Sequence, residues 1–181
     1  MKLKRGKVFW YHVGIIILYL IILPLIIMFM PQILNYHIYL TNFPTAIIIF
    51  LFSVFAFLIL FRKKMDNKVI LDKKKIPLII LYSLIIAFSE ELIFRGLIQG
   101  YFQNLLGNLL FPILISSAIF GLVHLPNGSK GLSPKLWNWK FALLAFIAGL
   151  LLGFLFGLTK SLLLPSLLHT FFIIGIQIFK K

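Results

Sequence analysis

The sequence predicts an all-α polytopic membrane protein, a bundle of about six transmembrane helices. Hydrophobic residues make up 61% of the 181 residues and charged residues only 12%, with a mean hydropathy of +1.07. A chain of this length cannot bury so much apolar surface in one water-soluble core, so a bilayer must cover it. The apolar residues also form runs of the roughly 20 residues that a helix needs to cross about 30 Å of hydrocarbon.

Six such runs follow one another along the chain. Their approximate ranges are 8–30, 43–61, 76–98, 109–125, 141–158 and 161–179. The first run follows four basic residues, as in a signal peptide, but it is too long for a signal-peptide core and has no small-residue cleavage site after it. We therefore expect it to be a retained span. The chain is predicted to have two parts, an N-terminal two-span region with a basic cytoplasmic loop (1–75) and a four-span core (76–181).

The basic residues indicate how the spans are oriented. The net charge is +14, but Lys and Arg occur in clusters between the apolar runs and do not form one basic domain. This pattern favours anionic lipid headgroups over nucleic acid as the partner. The clusters lie before the first span, between the second and third, between the fourth and fifth, and after the last. The positive-inside rule then predicts that both termini are cytoplasmic. The preference for Lys, Ile and Phe is typical of AT-rich bacteria, which suggests a bacterial plasma membrane.

Two adjacent glutamates, Glu90 and Glu91, lie inside the third predicted span. A carboxylate in hydrocarbon is costly unless it has a partner or faces a wet cavity, so such residues usually mark a functional site. Glu91 precedes Arg95 by four residues on the same helix face, in the orientation that favours an ion pair. Glu90 points about 100° away, so it is the better candidate to face a cavity. The alternative is that all three residues form one buried ionic contact between helices.

Histidines in two later spans extend this candidate site. His124 ends the fourth span before a Pro-Asn-Gly turn, and His169 follows Pro165 by four residues in the last span. We expect the proline to weaken the hydrogen-bond ladder there and to make room for water. Glutamate and histidine together supply the base and the hydrogen-bond donors that hydrolysis requires, although a single histidine in an apolar helix is more often a packing residue. His12 and His37 lie beside tyrosines and are predicted to be interface residues.

A metal site would use the same residues. Two histidines and a carboxylate, namely His124, His169 and Glu90, make a plausible zinc shell with one open position, although the usual HExxH spacing is absent. The residues leave both alternatives open, water activated by a divalent metal such as zinc and water activated by a glutamate without a cofactor. The chain has no cysteine, which excludes disulfides, Cys-ligated zinc and thiol catalysis.

Three motifs occur in order in separate apolar runs. EELIFR fits EExxxR, FGLVH fits FxxxH, and LLLPSLLH places a histidine in the last span. Over roughly residues 76–175 the sequence resembles the CPBP family of intramembrane proteases, which includes the CAAX prenyl endopeptidases and bacterial enzymes linked to bacteriocin processing and self-immunity. The resemblance implies that Glu90, aided by His124, activates the attacking water. It also implies that His169 helps to form the oxyanion site and that Glu91 and Arg95 support these groups.

One position departs from the family pattern. Where the family has Asn or Asp four residues after the final histidine, this chain has Ile173, which cannot donate a hydrogen bond. The loss of one oxyanion donor typically costs about 2.7–4 kcal/mol, or 10²–10³ in rate. Three functions therefore stay open. The first is an intramembrane endopeptidase acting on peptide precursors or membrane-bound substrates. The others are a weakened relative acting as a bacteriocin immunity or scaffold protein, and a small proton-coupled transporter.

Small residues recur every four positions in the fifth span, at Ala145, Gly149, Gly153 and Gly157. Such a stripe lets another helix approach closely, and the neighbour is either a helix of the same chain or a second copy in a homodimer. Trp137 and Trp139 precede this stripe and are predicted to anchor the chain at the membrane interface.

Overall fold

The computed structural model describes residues 42–65, 76–126 and 134–179, together with Ile21. By its internal contacts the chain divides into two compact units, Met1–Tyr36 and His37–Lys181, and the helices given below belong to the second. This division differs from the boundary predicted at residue 75. The predicted first span, His12, His37 and the basic loop from residue 66 to 75 lie outside the described residues, with the exception of Ile21 in that span.

Five helices form the described part of the second unit, which contains no strand. They are α1 (Phe43–Met65), α2 (Ile76–Leu106), α3 (Leu110–Val123), α4 (Trp139–Thr159) and α5 (Leu163–Phe179). Each overlaps one predicted span, from the second to the sixth. By length and composition α1, α2 and α4 are long and apolar enough to cross a membrane, and α3 and α5 are shorter apolar helices. The prediction of an all-α polytopic membrane protein is confirmed.

The longest helix, α2, changes its geometry in the middle. It is α-helical from Ile76 to Glu91, becomes a π-helix from Leu92 to Gln99, and returns to α-helix from Gly100. The Gly100 amide donates to the carbonyl of Arg95, five residues earlier. π-Helical turns are rare and often occur at functional sites, and this one contains Arg95. The helix ends at Gly107, whose φ of 62° is a left-handed conformation that glycine adopts without strain.

The small-residue stripe of α4 packs against other helices of the same chain. A Cβ atom added at Gly149 would lie 3.1 Å from the Cβ of Ser117 on α3, and one added at Gly153 would lie 3.0 Å from Cγ2 of Ile113. Residue numbers rise along α3 as they fall along α4, so the two helices are antiparallel. The stripe thus allows close packing within the chain. A homodimer through Ala145, Gly149, Gly153 and Gly157 stays a prediction, without support from these contacts.

Two apolar clusters hold the helices together. The larger joins α1, α4 and α5 through Ala46, Phe57, Leu152, Leu155, Leu164, Leu168 and Phe172. The smaller consists of Phe94 on α2, Phe120 on α3 and Ala145 on α4. Large apolar side chains on α1 and α2, such as Phe52, Phe55 and Leu78, stay exposed, as expected for helix faces in lipid.

Pro165 does not interrupt the last helix. It is buried in the first turn of α5, and the Ser166 amide still donates to the Leu162 carbonyl at 3.0 Å. The first amides of a helix have no intrahelical partner, so a proline there removes no ladder hydrogen bond. The predicted weakening of the ladder near His169 is therefore wrong.

Candidate active site

Glu90 lies between the two histidines singled out from the sequence. Its Oε2 atom is 3.8 Å from Nε2 of His124 and 3.7 Å from Nε2 of His169. The three side chains come from α2, the end of α3, and α5. The Glu90 side chain is 14% exposed, whereas that of Glu91 is fully buried. Of the two glutamates, Glu90 is therefore the more exposed, although its Oε2 atom, which faces the histidines, is buried.

Glu91 connects α2 to α5, next to the group formed by Glu90 and the two histidines. Its Oε2 atom is 3.0 Å from Nε of Arg95, the ion pair expected from the four-residue spacing. Its Oε1 atom accepts a hydrogen bond from Nδ1 of His169 at 2.9 Å. Glu91 thus ties α5 to α2 and fixes the orientation of the His169 ring. The structure separates the glutamates as the helix geometry suggested, one in a buried ionic contact and one facing the histidines.

Arg95 is completely buried and contacts α3 as well as Glu91. Its Nη1 donates to Oγ of Ser116 at 3.2 Å, and Ser116 Oγ donates to the Phe94 carbonyl at 2.6 Å. Its Cζ lies 5.0 Å from the centre of the Phe120 ring, a cation–π contact. The Phe120 ring also packs against His124 and His169, with centroid distances of 4.4 and 5.5 Å. The Phe120 ring therefore forms the apolar surface against which both histidine rings pack.

The hydrogen bonds of the two histidines determine where their protons lie. Nδ1 of His124 is 2.7 Å from the Phe120 carbonyl oxygen, which can only accept, so Nδ1 carries the proton. Nδ1 of His169 likewise donates to the Glu91 carboxylate. In a neutral ring the Nε2 atom is then an acceptor, and both Nε2 atoms face the Glu90 carboxylate. Separations of 3.7 and 3.8 Å are too long for direct hydrogen bonds. Three converging acceptors favour a ligand that donates protons, such as water.

The described ends of the α3–α4 connection, at Leu125 and Asn138, meet beside His124. His124 is the residue that ends α3, and its neighbour Leu125 accepts a hydrogen bond from the Asn138 amide at 3.1 Å. Asn138 caps α4 by accepting from the Phe141 amide, and Phe141 packs near the His124 ring at 6.0 Å. The site is therefore close to Trp137 and to Trp139, the first residue of α4, which are the predicted interface anchors.

No group of three or more His, Asp or Glu side chains among the described residues has an arrangement suited to a metal ion. Glu90, His124 and His169 do converge, but these contacts give the metal alternative no positive support. A chelator measurement, described in the Discussion, distinguishes the two ways of activating water.

The sequence did not reveal every residue of the site. Gln99, fully buried, donates from Nε2 to the Gly153 carbonyl at 2.9 Å and so joins α2 to α4. It follows Arg95 by four residues, and that spacing was a usable signal. The hydrogen bond between Arg95 and Ser116 had no such signal, and neither had the one between His169 and Glu91. Each joins residues that are far apart in the chain.

Comparison with known proteins identifies the family of this chain. The sequence model of the family described as type II CAAX prenyl endopeptidase Rce1-like matches residues 72–174, which include all five candidate residues. The Uncharacterized protein YpbD of Bacillus subtilis (strain 168) is 32% identical over 103 residues, which are 57% of this chain and 46% of YpbD. The match thus spans less than half of that relative. No solved structure shows a significant match. The resemblance to the CPBP intramembrane proteases is confirmed, and the chain belongs to the Rce1-like family of type II CAAX prenyl endopeptidases.

Proposed function

We propose that this protein is an intramembrane endopeptidase that hydrolyses peptide bonds of peptide precursors or membrane-associated substrates. The observation that carries the proposal is the position of Glu90 Oε2, 3.8 and 3.7 Å from the Nε2 atoms of His124 and His169. Membership of a protease family supports it. The experiment is cleavage of a fluorogenic peptide library by the purified protein, compared with a Glu90 variant as set out in the Discussion.

The first step is attack by water. Glu90 takes one proton from a water molecule held between its carboxylate and His124 Nε2, and the water oxygen bonds to the carbonyl carbon of the scissile peptide. The hydrogen bond from His124 Nδ1 to the Phe120 carbonyl leaves Nε2 free to accept the second water proton as a hydrogen bond. The apolar packing around the site limits the competing hydration of the carboxylate.

The second step places negative charge on the former carbonyl oxygen. His169 stabilises this oxyanion when its Nε2 carries a proton, because Nδ1 is already engaged as a donor to Glu91. The buried Glu91 carboxylate holds this ring through Nδ1, and Arg95 compensates the charge of Glu91 in turn. When the tetrahedral intermediate breaks down, the C–N bond is cleaved, and the proton held by Glu90 passes to the leaving amine.

Restoring the missing donor should increase activity. Ile173 lies one turn after His169 in the continuous helix α5, on the same face. We expect Ile173→Asn to raise kcat by at least about tenfold and at most by the roughly 10²–10³-fold that one oxyanion donor contributes. Initial rates on a cleaved peptide measure the effect, and Ile173→Leu is the control for changes in packing. Equal rates for a folded Ile173→Asn variant and the wild type would show that position 173 does not reach the oxyanion.

Ile173 also favours one alternative, a catalytically weakened relative that acts by binding as an immunity or scaffold protein. This alternative predicts that wild type and Glu90 variants are equally inactive on all peptides while both stay folded. It further predicts that a partner copurifies with both proteins.

The cellular setting is part of the proposal. The clusters of Lys and Arg and the interface tryptophans support a bacterial plasma membrane protein with both termini in the cytoplasm. For such a protein a secreted-peptide precursor is a more natural substrate than a prenylated CAAX protein.

A further inference from the structure

Ser116 is a fully buried serine of α3 whose hydroxyl has two partners on α2. Its Oγ atom donates a hydrogen bond to the Phe94 carbonyl at 2.6 Å and accepts one from Nη1 of Arg95 at 3.2 Å. A serine hydroxyl has a single proton, and the Phe94 carbonyl takes it, so Oγ meets Arg95 as an acceptor. Ser116 therefore holds one of the two outer nitrogens of the Arg95 guanidinium in place.

The Arg95 guanidinium meets the Glu91 carboxylate at one point only. Nε of Arg95 lies 3.0 Å from Oε2 of Glu91, but the two atoms are not aligned as a hydrogen bond. The second outer nitrogen, Nη2, has no hydrogen-bond partner among the described residues. Arginine and a carboxylate frequently form two parallel hydrogen bonds, which occupy both carboxylate oxygens. This pair does not adopt that arrangement, although both side chains are fully buried.

The second carboxylate oxygen of Glu91 binds His169. It is Oε1, which accepts from Nδ1 of the imidazole at 2.9 Å. If the guanidinium turned to form two parallel hydrogen bonds with Glu91, its Nη2 would compete with the imidazole for Oε1. The hydrogen bond from Nη1 to Ser116 opposes this turn, because the guanidinium is a rigid plane whose three nitrogens move together.

We propose that Ser116 is a positioning residue of the active site. It keeps Arg95 from occupying both oxygens of Glu91 and so reserves Oε1 for His169. Its effect passes through two charged side chains to the imidazole ring that the proposed mechanism uses at the oxyanion. The inference rests on the proposed function for its effect on the rate, whereas the effect on the hydrogen bond of His169 is independent of any activity.

NMR of the ¹⁵N-histidine-labelled protein in detergent tests this hydrogen bond directly. The proton on Nδ1 of His169 gives a downfield ¹H signal while it is donated to the carboxylate, and the loss of that signal in His169→Gln assigns it. We expect Ser116→Ala to shift the signal upfield and to speed its exchange with water severalfold. Ser117→Ala is the matched control and should leave the signal unchanged. Ser117 is equally buried, and its Oγ has no hydrogen-bond partner among the described residues.

Two further variants test the same position. Ser116→Cys nearly keeps the shape of serine, but a thiol is a weak donor and acceptor, so the change expected for Ser116→Ala should occur here too. Ser116→Thr keeps the hydroxyl and should keep the wild-type signal. An unchanged His169 signal in a folded Ser116→Ala or Ser116→Cys protein would overturn the proposal. A loss of stability without a change in that signal would show that Ser116 only supports packing.

The rate of peptide cleavage gives the second measurement. We expect Ser116→Ala to lower kcat by about 10-fold to 10²-fold with little change in KM, because a misplacement of about 1 Å can cost about 10²-fold in rate. Ser117→Ala should cleave at the wild-type rate. A rise in KM with kcat unchanged would contradict a positioning role. If the wild type cleaves no peptide, the proposed function fails, while the NMR comparison still decides the role of Ser116.

Discussion

Glu90→Gln is expected to lower kcat for peptide hydrolysis by about 10²–10⁴-fold, the range for loss of a positioned general base. Glutamine has nearly the same shape as glutamate, but its amide cannot take a proton from water. Its NH₂ group can also donate to the histidine Nε2 atoms that now face the carboxylate at 3.7 and 3.8 Å. Cleavage of the fluorogenic peptide library by detergent-purified wild type and variant measures the change.

Two controls accompany this comparison. Ser89→Ala alters the neighbouring position, whose hydroxyl donates to the Ile85 carbonyl, and should leave the rate nearly unchanged. A chelator added to the wild type should not reduce cleavage if Glu90 alone activates the water, whereas loss of cleavage would point to a metal. Equal cleavage by wild type and Glu90→Gln would contradict the assignment of Glu90 as the base.

The second large effect concerns stability. Arg95→Met should lower the free energy of unfolding by about 3–5 kcal/mol, the usual effect of removing one partner of a buried ion pair. The reason is that the Glu91 carboxylate, which is fully buried, would lose the guanidinium 3.0 Å away. Denaturation in detergent, followed by helix content, measures the change.

A double variant shows whether the unpaired charge causes this effect. Glu91→Gln/Arg95→Met removes both charges and should recover part of the stability lost in Arg95→Met, because no isolated charge remains. Lys140→Met, at an exposed position in the first turn of α4, is the control for loss of a basic residue and should change stability little. If Arg95→Met were as stable as Lys140→Met, the ion pair would not stabilise the fold.

Sequence patterns predicted the elements better than the contacts between them. The lengths of the apolar runs were sufficient to locate the five described helices. A helix that crosses a lipid bilayer requires a long uninterrupted run of apolar residues. The Glu91–Arg95 pair followed from helix spacing alone. The error at Pro165 arose because the last helix was expected to begin at residue 161, whereas it begins at Leu163, which places the proline in the first turn.

Contacts between distant residues had no local signal. Glu91 and His169 are separated by 78 positions, and their hydrogen bond depends on how α5 packs against α2. The π-helix from Leu92 to Gln99 was also not predicted, since its residues form ordinary helix equally well. Gln99 had a local signal in its four-residue spacing from Arg95, but its hydrogen bond to Gly153, 54 positions away, had none.

The length of α2 makes the depth of Glu90 sensitive to bilayer thickness. Its 31 residues extend about 46 Å, whereas the 21 residues of the neighbouring α4 extend about 31 Å, close to the roughly 30 Å of hydrocarbon. A tilt within the common range of about 0–40° does not remove this mismatch, so one end of α2 meets the headgroups. Glu90 lies near the middle of α2 and therefore moves relative to the lipid–water boundary as acyl chains lengthen. Lipids of different chain length should consequently act as regulators of this site.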